Sequence, residues 1–265
     1  MHLAVAVLLG WLAMSLVMAG LWWYQTRRGD AGIVDVAWGL GVGFLGMLFC
    51  ALARQGDSTR RLLLGGLVLV WSLRLSGHIA ARLRRMPEDG RYQSLREQWG
   101  SQAQRKLFGF FQLQAVWSVL FSLPVLVAAR NHHPFPQWTD LAGLVLWLVA
   151  IGGEALADRQ LQQFRIDPQN RGRVCRSGLW NYSRHPNYFF EWLHWWVYPL
   201  MAVGAPWWGS AVAGPVAMYW FLTRVTGIPP TEAQALRTRG DAYREYQLTT
   251  NGFFPWFPRE RRPIG

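Results

Sequence analysis

Charge is scarce in this chain. Only 16% of its 265 residues are Asp, Glu, Lys or Arg, against about a quarter in ordinary soluble domains. Acids are scarcest, 15 against 27 basic residues, which leaves a net charge of +12. There are only two cysteines, Cys50 and Cys175, far apart. That excludes a disulfide framework and a cysteine metal site, and leaves the redox compartment open. The chain has no phosphate-binding GKS or GKT loop and no glycine fingerprint inside a βαβ pattern. It has no internal repeat, so a transporter built from two matching halves is not supported. Its polar stretches, 82–106, 159–187 and 224–265, leave no room for a soluble domain.

Apolar and aromatic residues fill the space. Hydrophobic side chains make up 51%, and there are 17 Trp, a residue that favours the membrane interface. The pattern predicts an all-α polytopic membrane bundle of seven helices. The spans are Leu3–Tyr24, Ile33–Ala53, Leu62–Ala81, Phe108–Ala128, Leu141–Ala157, Tyr188–Val203 and Trp207–Thr223. Most approach the roughly 20 residues a crossing needs. The last two are shorter and read as a hairpin turning at Gly204-Ala205-Pro206. The first run has no basic n-region, so a retained helix is expected rather than a signal peptide.

Positive charge orients the bundle. The joins after spans one, three and five and the tail carry 22 basic residues, and the other joins carry four. The positive-inside rule puts the N-terminus outside and the C-terminus in the cytoplasm, with the three polar stretches as short cytoplasmic caps. The excess charge then serves topology and anionic lipid, and nucleic acid is not an expected partner.

Against this background the ionisable residues within or beside the runs stand out, since a charge at hydrocarbon depth needs a partner, water or a ligand. Asp35 lies one turn into span two, with Trp38 a turn further on. Arg74 and His78 share a face of span three, with Trp71 a turn before. The plainest reading is an Asp35–Arg74 ion pair. The functional one makes Asp35 an acid that polarises a substrate carbonyl, as a buried carboxyl group can. Glu154, Asp158 and Arg165 share a helix face near the cytoplasmic end of span five, fit for a helix-end salt bridge or for a polar ligand.

Two further segments carry phosphate-like chemistry. Arg171-Gly-Arg173-Val-Cys-Arg176-Ser-Gly178 packs three guanidiniums and two glycines into eight residues, and arginine forks match phosphate oxygens. A positive-inside loop explains it about equally well. The second is Tyr182-Ser-Arg184-His185-Pro186-Asn187-Tyr188-Phe-Phe-Glu191-Trp192. Pro186 suits a helix first turn. Arg184 and His185 then stand at the positive end of that helix, where an anion binds well, and Asn187 and Glu191 share its face. The tail supplies Arg224, a helix start at Thr231-Glu232, Tyr243 and Tyr246, and a closing FFPWFP suited to the membrane interface.

The SRHPNYFFEW core, the Glu154/Asp158/Arg165 spacing and the FFPWFP ending resemble the bacterial DUF1295 membrane proteins of the steroid 5-alpha-reductase superfamily, over essentially the full chain. The resemblance implies a single membrane-embedded reductase domain over 1–265. Residues 1–106 would lie on the substrate side and 107–265 on the cofactor side. It implies NADPH held near the cytoplasmic face by Glu154, Asp158, Arg165, Arg173, Tyr182, Arg184, His185, Asn187, Glu191, Arg224, Tyr243 and Tyr246. Related steroid reductases hold the 3-keto group with a Gln-Glu pair and a Tyr. This chain has no such pair. Asp35 is the nearest acidic equivalent, and Trp71 stands at the Tyr position, so both are candidate catalytic residues. Trp38, Arg74 and His78 are candidate substrate contacts.

The expected activity is NADPH-dependent reduction of a 3-oxo-4-ene steroid or similar lipid enone by a monomer in the bacterial inner membrane. Its partners are membrane lipid and a lipophilic substrate, and no metal is expected. The rival is a membrane methyltransferase using S-adenosylmethionine, of the isoprenylcysteine carboxyl methyltransferase type, which needs no cluster of phosphate-binding arginines.

Overall fold

The computed structural model describes residues 3–85, 88 and 90–259. Met86, Pro87 and Asp89 of the 82–106 cap lie outside the described residues, as do Arg261 and Arg262 of the basic tail. The described chain is helical, with no strand among the described residues. Among the described residues five helices are long and apolar enough to cross a membrane: α1 (Leu3–Arg28), α2 (Ile33–Leu52), α3 (Ser58–Arg85), α5 (Ala103–Ala129) and α6 (Trp138–Ile166). A short polar helix, α4 (Gly90–Trp99), precedes α5. The sixth and seventh apolar stretches are broken into short pieces: α7 (Pro186–Trp195), α8 (Val197–Ala202), a tight turn Trp208–Val212, α9 (Ala213–Trp220) and a wide turn Phe221–Val225. Proline explains the breaks. Pro186, Pro199 and Pro215 each fall within the first three residues of a piece, where a missing N–H is tolerated and a continuing helix is not. The last helix, α10 (Ile228–Thr249), kinks at Gly240 (φ 50°, ψ −124°), a backbone conformation that glycine adopts without strain.

The chain forms two compact units. The first comprises residues 1–141 and 198–214, the second 142–197 and 215–265. In the first, α1 buries a stripe spaced mainly by four, Ala6, Gly10, Met14 and Met18, and leaves Leu8, Leu9, Leu12 and Leu16 exposed. That inside-out apolar surface is what a lipid-facing helix presents. Helices α2 and α3 meet closely. A Cβ on Gly43 would collide with the Ser72 side chain, and Ser72 donates to the Gly39 carbonyl (2.8 Å). Small residues at such a crossing let backbones approach, which is how membrane helices associate.

One end of this unit is tied by a buried ion pair the sequence did not single out. Arg60 grips Asp140 with two parallel bonds, Nε to Oδ1 (2.7 Å) and Nη2 to Oδ2 (2.6 Å), both side chains at 0% exposure. Its remaining donors reach the carbonyls of Asn131 (3.0 Å) and His133 (2.8 Å) and the Gln137 side chain (3.4 Å). Asn131 in turn donates to the carbonyls of Met201 and Val203 (3.1 and 3.0 Å). Three inter-helix joins thus share one lattice. Beside it Asp57 accepts from the Arg60 N–H (2.9 Å), a bond that holds its carboxyl below the usual range. At the unit's other end Gln25, Glu88, Arg96 and Gln104 make a second polar tie across α1, α4 and α5.

In the second unit, rings of Phe189, Trp192, Tyr219 and Phe254 cluster around buried Phe253, with centroids 5.1–6.1 Å apart. Trp180 Nε1 donates to the Ala157 carbonyl (2.9 Å) and Trp192 Nε1 to that of Pro215 (3.1 Å). Phe253 of the FFPWFP segment is buried in this cluster, while Phe254, Trp256 and Phe257 are exposed.

Candidate functional site

The candidate residues sort by unit. Asp35, Trp38, Trp71, Arg74 and His78 belong to the first. Asp35 lies in the first turn of α2 and is half-buried. Its ion pair is made by Arg91 rather than by Arg74: Arg91 Nη2 donates to Oδ2 (3.0 Å) and the Tyr92 hydroxyl to Oδ1 (2.9 Å). Both partners come from α4, within a stretch that reads from sequence only as a polar cap. Both oxygens of Asp35 therefore act as acceptors. Trp71 is fully buried and Trp38 half-buried. Trp38 stands edge-on to Trp71 (6.1 Å, 85°) and to Phe121 (5.5 Å, 90°), the favoured geometry for aromatic pairs. Arg74 is half-buried and His78 is exposed.

The other twelve candidates belong to the second unit. Glu154, Asp158 and Arg165 lie on α6, the first buried, the second half-buried and the third exposed. The SRHPN segment folds as a loop feeding α7, with His185 at the helix N-cap position and Pro186 as its first residue. Asn187 then turns toward α6, and its Nδ2 donates to Asp158 Oδ1 (3.3 Å). Its Oδ1 is buried and has no hydrogen-bond partner among the described residues. Buried Glu191 accepts from Trp195 Nε1 (3.0 Å). Arg173 and Arg224 are exposed.

Arg184 and His185 converge on Glu232 in the first turns of α10. Glu232 Oε1 accepts from Arg184 Nε (2.7 Å) and lies 3.2 Å from His185 Nε2 and 3.4 Å from the Tyr243 hydroxyl. Gln247 Nε2 takes Oε2 (2.8 Å). Arg184 Nη1 also reaches the carbonyls of Gln247 (3.1 Å) and Thr250 (2.6 Å). His185 stacks parallel on Tyr188 (5.3 Å, 5°), whose hydroxyl meets Thr231 Oγ1 (3.1 Å). Burial raises the Glu232 pKa, but the bonds from His185 and Arg184 outweigh it and bring the carboxyl from 4.5 down to about 2. Burial pushes the His185 pKa below its usual 6.5, against the pull of Glu232. Here Arg184 and Glu232 form the ion pair, and neutral His185 donates to it.

The tail tyrosines pin the same assembly. The Tyr246 hydroxyl reaches the Trp180 carbonyl and, at 3.2 Å, that of Ser183. Burial raises the pKa of both Tyr243 and Tyr246. Exposed Tyr182 accepts the Trp256 N–H on its carbonyl (2.9 Å). The arginine-rich loop is strapped to α10 as well: Arg176 pairs with Glu245 (3.3 Å) and Arg239 Nε donates to the Arg173 carbonyl (2.9 Å).

Sequence reasoning read Glu232 only as a helix start. A signal was present. Arg184 and His185 have no neighbouring acid that helical spacing would bring to them, so their counter-charge had to come from elsewhere. The tail offers only Glu232, Asp241, Glu245 and Glu260.

The family model "Protein of unknown function (DUF1295)" matches residues 21–250. A curated relative, Uncharacterized protein C594.04c of Schizosaccharomyces pombe, is 28% identical over 280 residues, covering 92% of this chain and 78% of its own. No solved structure matches. With the family model spanning most of its length, including the α6, SRHPN and α10 elements of the candidate site, the chain belongs to the DUF1295 family.

Proposed function

We propose that this membrane protein is an NADPH-dependent reductase of the steroid 5-alpha-reductase superfamily. It acts on the conjugated double bond of a membrane-soluble 3-oxo-4-ene steroid or similar lipid enone. Asn187 carries the reading. Its amide is oriented by Asp158 and keeps a buried, unused acceptor oxygen. Leaving such an atom unmade costs about 1–3 kcal/mol, and a carboxamide N–H of nicotinamide is a fitting donor for it. Exposed Arg171 and Arg173 stand in the arginine-rich loop, and arginine forks suit phosphate groups. The residues present fit a dinucleotide.

On this reading Asn187 and Glu191 orient the nicotinamide end, and Arg165, Arg173 and Arg224 meet phosphates. Arg184, His185, Tyr243 and Tyr246 hold the frame in which these sit. Bound NADPH supplies a hydride equivalent to the β-carbon, C5. The chain's own task is to stabilise negative charge developing on the 3-oxygen with a hydrogen bond, while C4 takes up a proton. That donor is drawn from the Asp35–Tyr92–Arg91 group, and Trp38 and Trp71 wall the flat apolar substrate.

The same proposal includes the finer topology. The α7–α8 and 208–225 segments act as the sixth and seventh spans, the N-terminus faces out, and the protein works as a monomer in a bacterial inner membrane. Direct cofactor titration of the purified protein tests the reading. NADPH binding that weakens in Asn187→Leu supports it. Tight S-adenosylmethionine binding with no NADPH binding replaces it with a methyltransferase of the isoprenylcysteine carboxyl methyltransferase type.

A further inference from the structure

Glu232 is the chain's own anion at the very place where sequence suggests a foreign one. It lies beside the N-terminal end of α7, where negative charge is favoured by the exposed N–H groups of the first turn. Its carboxylate gathers groups from two separate parts of the chain. Arg184 and His185 come from the loop before α7, and Tyr243 and Gln247 from the body of α10. Arg184 is in turn engaged by two carbonyls at the end of α10. The next residues after His185 are Pro186 and Asn187, the start of α7. Any shift of the His185 backbone therefore moves the Asn187 amide.

We propose that Glu232 is a positioning residue: it fastens α10 to the loop before α7 and so fixes the pose of Asn187 toward the cofactor. Its effect on cofactor rests on the reductase reading, while the fastening itself does not. A carboxylate is required because the neighbouring guanidinium is largely buried, with 13% of the Arg184 side chain exposed and 15% of Glu232. An amide in the same place keeps the shape but leaves the arginine without its counter-charge.

Two readouts on the full-length protein in detergent separate the two parts. The first is the alkylation rate of Cys175, in a Cys50→Ala background. Cys175 is buried in the arginine-rich loop strapped to α10, so its rate reports how firmly α10 is seated without reference to any activity. The second is the NADPH KM and kcat. Glu232→Gln is expected to speed alkylation at least tenfold and to raise the NADPH KM about tenfold, with kcat within twofold, the split expected when uniform binding is lost. Glu232→Asp should restore part of both. Gln247→Leu, which spares the ion pair, should move both the same way by less, and keeps the test available if the Glu232 variants fail to fold. Faster alkylation in a protein whose wild type binds no NADPH supports the fastening and removes the reductase reading. Unchanged alkylation, or tighter NADPH binding in Glu232→Gln, overturns the proposal, the latter because Glu232 would then be competing with the cofactor for Arg184.

Discussion

The two units are each held by an arginine–carboxylate pair, and the pairs are built differently. In the first, Arg60 and Asp140 are wholly enclosed, joined by two parallel bonds, and surrounded by backbone carbonyls that use the remaining guanidinium donors. Every group there is spoken for by the loops it joins. In the second, Arg184 meets Glu232 through one bond, both side chains keep some solvent exposure, and the carboxylate is shared with a histidine, a tyrosine and a glutamine. A sealed pair of the first kind fixes structure. An open, shared carboxylate that holds the loop leading into Asn187 is suited to set the pose of a site and can be tuned.

Variants break the comparison in a definite order. Asp140→Ala leaves Arg60 buried without its counter-charge, which costs about 3–5 kcal/mol. It should cut thermal stability in detergent more than any other single change named here. Arg60→Ala should do nearly the same, and the double variant should cost less than the sum, because one contact is removed twice. Turnover should respond most to the Asp35 group. Asp35→Asn is expected to lower kcat about a hundredfold, because it loosens the Arg91 and Tyr92 donors that the carboxylate holds, the scale for losing a preorganised donor, with NADPH affinity kept. Unchanged turnover would take Asp35 out of the chemistry. Asn187→Leu should weaken NADPH binding by the equivalent of about 1–3 kcal/mol with little change in melting temperature, read by direct titration.

Acid sharpens the contrast further. The folded state holds the His185 pKa below 6.5 by burial, so the unfolded chain binds the extra proton first, and stability falls as pH drops below 6.5 toward the lowered value. Glu232, brought from 4.5 down to about 2, adds stability above 4.5 that is lost further into acid. Arg184, Tyr243 and Gln247 face the same pair. His185→Gln should flatten the first part of this decline, measured as melting temperature between about pH 7.5 and 5, the range around an ordinary histidine pKa. An equal slope in wild type and variant would assign the decline elsewhere. The smallest effect belongs to Arg244→Ala, which opens an exposed pair with Asp241 (3.0 Å). Surface pairs of that kind are worth about 0–1 kcal/mol, and both melting temperature and NADPH KM should hold.

Much of the fold is legible in the sequence because five apolar runs have crossing length and end at charged joins. What periodicity did not supply is where prolines restart helices, as at Pro199 and Pro215, and so where the sixth and seventh stretches break. At the site, Pro186 and Asn187 announced the start of α7, and spacing put Asp158 and Glu154 on one helix. Partners were harder to read. Asp35 takes Arg91 and Tyr92, across intervals of 56 and 57 residues, and Arg184 takes Glu232, across 48. Helical spacing speaks only to neighbours three and four apart. Long-range pairing depends on how helices are laid against each other, which a single sequence does not encode in any local pattern. The Arg60–Asp140 pair was missed for the same reason, each half reading alone as an ordinary charge at the end of a span.

Cofactor turnover decides whether this protein is a reductase. Purified protein in mild detergent is followed by NADPH absorbance with and without a 3-oxo-4-ene steroid such as progesterone. Steroid-dependent loss of NADPH and a product heavier by two hydrogens are expected. A folded protein that binds S-adenosylmethionine but neither binds nor oxidises NADPH would contradict the reductase reading.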